Sequence, residues 1–182
     1  MRRITVFTMA AATIVSALAP TATAQTTPCT VNGSPGSCNR TGSVTMTAGR
    51  VVYLQMSAGS TALTAPTPTD FDAGFNATTG PVLTVSANAA WHLYLRSAAT
   101  YWTAANTSPG APARTTKPAG DLKWSTAAAG TFNPLTTSDV TLVTGNATAS
   151  SVTALYFQTL YAWTLDTPGN YSLGVVLTLT SP

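Results

Sequence analysis

Glutamate is missing from this chain, and charge of either sign is scarce: five aspartates, eight lysines and arginines and one histidine in 182 residues. Two of the arginines, Arg2 and Arg3, sit at the extreme N-terminus. Residues 25–182 therefore carry a net charge of only +1 and hold no basic stripe for a nucleic acid. A Ser-His-Asp hydrolase needs a base, and the single candidate, His92, falls mid-strand on the face opposite Trp91 and Leu93; no G-x-S-x-G elbow occurs anywhere. The two cysteines, Cys29 and Cys38, are too few for a thiolate metal site, and no cofactor motif is present. Nor does any stretch of ten or more residues hold helical periodicity. These gaps point away from catalysis, and the expectation is a protein that is not an enzyme.

What the chain does have begins with its leader. Arg2 and Arg3 form a basic n-region, residues 4–19 are uncharged and mostly apolar, and Ala22-Thr23-Ala24 precedes Gln25. That is the pattern of a secretory signal peptide over residues 1–24, with a core short for a membrane span. The mature chain is then expected from Gln25 onward, without a membrane span, in the periplasm, outside the cell or on its surface. Residues 25–43 form an N-terminal segment in which Cys29 and Cys38 flank Asn32-Gly33-Ser34-Pro35-Gly36. In an exported protein such a pair reads as a disulfide around strong turn chemistry. Chain entropy gives that closure roughly 2.5–3 kcal/mol.

Residues 44–182 have the size of one domain with a substantial core. Threonine supplies their polarity and favours strands. Strands are predicted at 44–47, 50–56, 61–65, 82–87, 90–96, 121–126, 139–144, 151–165 and 171–180, with a hairpin turn at Asn88-Ala89. Alternation is cleanest at 91–96, where Trp91, Leu93 and Leu95 oppose His92, Tyr94 and Arg96. Tyr171, Leu173, Val175, Leu177 and Leu179 make a second apolar row, and Phe157, Tyr161, Trp163 and Leu165 a third. Short strands and Gly/Pro/Asn turns describe an all-β, immunoglobulin-like antiparallel sandwich, with a jelly roll as the alternative.

Few side chains suggest chemistry. Asp70-Phe71-Asp72 is the one close carboxylate pair, and turn-forming aspartates in a Pro-rich loop explain it more simply than calcium or acid–base work. Tyr101, Trp102 and Trp124 flank the Pro/Gly-rich middle of the chain and could stack on sugar rings, which makes them the candidate glycan-binding set. Six of the eight asparagines (Asn32, Asn39, Asn76, Asn106, Asn146 and Asn170) head Asn-x-Ser/Thr triplets.

The run Pro81-Val82-Leu83-Thr84-Val85-Ser86-Ala87-Asn88 with Trp91-His92-Leu93 resembles a strand pair in exported bacterial β-sandwich domains. The ending Asp166-Thr167-Pro168-Gly169-Asn170-Tyr171 with Val176-Leu177-Thr178-Leu179-Thr180 resembles the terminal strand of spore coat protein U-like and related fimbrial subunits. The resemblance implies a secreted, non-enzymatic structural protein that assembles at the cell surface, with a donor strand filling a neighbour's open groove. It brings no catalytic residues. The leading expectation is a surface interaction domain with protein partners or copies of itself. The alternative is a carbohydrate-binding module on loop aromatics.

Overall fold

The computed structural model describes residues 37–38, 43–106 and 113–182. The chain divides into two compact units, Met1–Met46 and Thr47–Pro182. The second unit contains every strand of the described residues, and the expected all-β antiparallel sandwich is the architecture observed. No helix of the described residues is long and apolar enough to cross a membrane.

The backbone of the fold is a pair of thirteen-residue strands, β2 (Phe75–Ala87) and β8 (Thr148–Leu160), running antiparallel. Their register shifts between Thr79 and Val82, around Gly80-Pro81. Pro81 has no N–H to give the ladder, and a Cβ on Gly80 would stand 2.7 Å from Cε2 of Phe157. The bulge is therefore where the sequence can no longer pair. β1 (Val52–Met56) joins the other edge of β2, and β5 (Leu122–Ser125) and β6 (Asn133–Pro134) follow β8, giving the order β1-β2-β8-β5-β6. A second sheet has the order β10-β3-β7, from Val175–Thr180, Trp91–Ser97 and Val140–Gly145. β4 (Thr103–Asn106) and β9 (Gly169–Ser172) make a two-stranded ribbon.

The core is the inner face of both sheets. Leu83 and Val85 of β2, Trp91, Leu93 and Leu95 of β3, Leu155 and Phe157 of β8, and Leu122 and Trp124 of β5 are buried together. Each large side chain fully buried there contributes roughly 1.5–3 kcal/mol. The indole of Trp91 packs so close to Gly145 that a Cβ would lie 2.6 Å from Cζ2, and its Nε1 donates to the Asn146 carbonyl at 2.9 Å. The alternation at 91–96 and the apolar row from Tyr171 to Leu179 both meet this core, as expected.

Several local expectations are corrected. Asn88-Ala89 is not a hairpin turn: β2 pairs with β1 and β8, and β3 with β10 and β7, so the link carries the chain from one sheet to the other. Asn88 spends its side chain on the start of β1, accepting from Val51 N at 2.7 Å and donating to Gly49 O at 2.8 Å. Residues 61–65 form no strand, and neither do 44–47, where Val44 and Met46 are 99 % and 87 % exposed. The strand expected over 151–165 ends at Leu160; residues 161–166 turn, which takes Trp163 and Leu165 out of the core row. The segment expected as one strand over 171–180 is split between β9 and β10.

Candidate functional site

Two sheet edges face an apolar groove. Among the described residues β10 has a strand partner on one side only, β3, and β1 has only β2. Between these edges lies a cavity of about 540 Å³ whose walls come from both sheets: Met56 of β1, Leu122 of β5, Leu155 and Phe157 of β8, Val175 and Leu177 of β10, with Leu63 and Leu173 from the connecting segments. A smaller hollow of about 360 Å³ continues it past Leu54, Met56, Val175 and Leu177. Residues 58–63 line one side of the larger cavity. That segment is tied to β2 at Ser57, whose N donates to the Val82 carbonyl at 2.9 Å and whose Oγ accepts from Val82 N at 2.8 Å. The groove is lined mostly by aliphatic and aromatic groups, with Ser60, Thr61 and Ser172 among them; Tyr171 is its one titratable side chain, and that hydroxyl is engaged, donating to Thr167 O and accepting from Arg114 N. What such a surface can do is take up alternate apolar side chains of an extended segment while the β10 backbone completes a ladder.

The sequence-level candidates fall elsewhere. His92 lies on the outer face of β3, its Nδ1 within 3.2 Å of the Tyr94 hydroxyl. Asp70 and Asp72 belong to a six-residue helix, α1 (Pro68–Ala73), where residues two apart diverge around the axis. Asp70 completes a capping box: its Oδ2 accepts from Thr67 N and Oγ1, both at 2.7 Å, and these bonds hold its carboxyl below the usual carboxylate value. No group of three metal-ligating side chains occurs among the described residues.

Tyr101, Trp102 and Trp124 do not form an exposed platform. Trp102 and Trp124 are only 5 % and 6 % exposed and belong to the core, and Trp102 Nε1 donates to Pro118 O at 3.1 Å. Tyr101 alone is exposed, bridged through its backbone to Pro118. Cys29 lies outside the described residues, and so do residues 1–24, with them the expected Cys29–Cys38 pairing and the leader.

Two constellations escaped the sequence. Lys117, 2 % exposed, donates from Nζ to Asp121 Oδ2 at 3.1 Å, Leu160 O at 2.8 Å and Asp166 Oδ1 at 2.9 Å. Arg114 reaches the same two carboxylates at 3.3 and 3.0 Å. Burial pushes the Asp166 carboxyl up, but the bond and charge of Lys117, with help from Ala162 N and Arg114, outweigh it and hold the group below its ordinary value. Burial raises the neighbouring Tyr161 hydroxyl. The second constellation is aromatic. Phe71 stacks on Trp163 at 4.6 Å with 26° between planes, Tyr161 tilts against Phe71 at 5.4 Å, and Trp163 Nε1 donates to Asp72 Oδ1 at 3.0 Å.

No protein-family model matches the chain, and no curated protein is similar to it.

Proposed function

We propose that the protein is an exported, non-catalytic surface subunit whose copies join through the open edge of β10. The observation that carries this reading is the β10 edge, unpaired among the described residues, beside a mostly apolar groove walled by both sheets. The occupant is a second copy, which supplies residues 43–48, the stretch just before Gly49 and Val51 are tied to Asn88 of their own chain. Val44 and Met46 alternate with threonines in the strand pattern, yet the chain gives them no strand partner of its own among the described residues, and their side chains stand in water. Burying both side chains contributes roughly 3–6 kcal/mol, against about 4–15 kcal/mol lost on association, so the backbone ladder along β10 and the flanking residues supply the remainder. The resemblance to spore coat protein U-like and fimbrial subunits supports the same assembly mode.

The reading includes export through the leader at 1–24, a Cys29–Cys38 disulfide in the mature segment, and a final location at the cell surface. Within the sandwich class it takes the immunoglobulin-like arrangement, with the jelly roll as the alternative. The test is light scattering and negative-stain microscopy on residues 25–182. Oligomers or filaments are expected, and deletion of residues 25–49 abolishes them. A strictly monomeric mature chain at high concentration contradicts the proposal.

A further inference from the structure

Of the four tryptophans, three are in the core and one stands in water: Trp163 is 59 % exposed. An exposed indole on a loose loop would signify little, but this one is fixed. Phe71 stacks behind it, and Asp72 holds its Nε1 at 3.0 Å. Its loop is closed on itself, with Asp166 Oδ2 accepting from Ala162 N at 2.9 Å and the amides of Leu165 and Asp166 donating to Ala162 O. The buried Lys117 ammonium then anchors Asp166, and Tyr161 N donates to Gly74 O, which joins the loop to the end of α1. These contacts hold a large apolar ring in place at the surface, which reduces the conformational entropy that binding would otherwise cost.

We propose that Trp163, backed by Phe71 and oriented by Asp72, is the platform of a binding site for neutral pyranose sugars. The chemistry selects the class. One indole face is stacked on Phe71 while more than half of the Trp163 surface stays in solvent, which offers an apolar ring surface to a flat ligand. At the ring edge stands a carboxylate, which accepts hydrogen bonds and donates none. A ligand that fits both must present an apolar face rimmed by donors, and the C–H face of a pyranose with its equatorial hydroxyls does so. Asp70 and Asp72 in the same helix disfavour acidic sugars. The site is separate from the β10 groove and stands whether or not copies assemble there.

Burial of the other tryptophans makes the test selective, because acrylamide quenches Trp163 first. Cellohexaose, laminarihexaose and chitohexaose are titrated into the full mature protein, following acrylamide-accessible fluorescence and, in parallel, heat by calorimetry. Saturable protection by at least one hexasaccharide is expected. Trp163→Ala should weaken binding tenfold or more, Trp163→Phe should keep part of it, and Asp72→Asn should weaken it several-fold. Unchanged melting temperatures show that the variants fold. No saturable binding of any of the three sugars overturns the proposal, and so does undiminished affinity in Trp163→Ala. Protection by hexalysine alone overturns it in favour of a cationic partner.

Discussion

Replacing Lys117 by alanine should be the most damaging single change to the charge network. Lys117 Nζ gives all three of its protons, to Asp121, Asp166 and the Leu160 carbonyl, from a position with almost no solvent access. Removing one partner of a buried ion pair costs about 3–5 kcal/mol, because the other charge stays buried without its counter-charge. Arg114 remains within 3.0 Å of Asp166 and 3.3 Å of Asp121, which offsets part of that loss, so a cost of about 3 kcal/mol is expected. For a domain of this size that lowers the melting temperature by roughly 10 °C. Thermal unfolding by circular dichroism reads the shift directly. Double replacement by Lys117→Met and Asp166→Asn should recover much of it, since no lone charge is then buried. A loss under about 1 kcal/mol for Lys117→Ala would refute the reasoning, because only a well-solvated pair costs so little.

Acid should act through the same cluster. The Asp166 carboxyl is held below its ordinary value in the folded chain, so its contribution is complete above the unfolded carboxylate range, about 3.9, and is lost as pH falls through the lower folded value. Asp166→Asn should flatten the fall in melting temperature below pH 4, and an unchanged profile would count against the ion pair. Gly145→Ala sets a methyl 2.6 Å from the Trp91 ring and should cost about 1–3 kcal/mol, read as a lower urea midpoint; a midpoint unchanged from the parent would show that the strand yields freely. Thr67→Ala removes the side-chain cap of α1 and should cost about 1 kcal/mol, with faster amide exchange at Asp70 as the local sign.

The parts of the fold legible in sequence were those where period-two alternation coincides with a two-sided environment. Trp91, Leu93 and Leu95 are buried and His92, Tyr94 and Arg96 face outward because β3 has a core on one side and water on the other. Alternation says nothing of where a strand stops. The row Phe157, Tyr161, Trp163, Leu165 runs on in pattern after β8 has ended at Leu160, so Trp163 reads as core and is surface. It is equally silent on which sheet a strand joins, which is why Asn88-Ala89 resembles a hairpin turn. Helix α1 carried a readable signal, Thr67 as N-cap, Pro68 in the first turn and Asp70 completing the box, but two prolines beside it read as loop punctuation. Trp102 and Trp124 flank a Pro/Gly-rich stretch, yet both are packed into the core beneath it. Lys117 and Asp166 stand 49 positions apart, and no local pattern links them. The groove is a property of two edges, and an edge is defined by a pairing that sequence periodicity does not specify.

The proposed role stands or falls on whether the edge of β10 is used. Amide hydrogen exchange, resolved to individual residues over Val175–Thr180, should be compared between the mature chain and the variant lacking residues 25–49. Strong added protection at alternate β10 amides in the mature chain, with the rest of the sandwich exchanging alike in both, is the expected result. Identical exchange along β10 in the two proteins would contradict assembly through this edge.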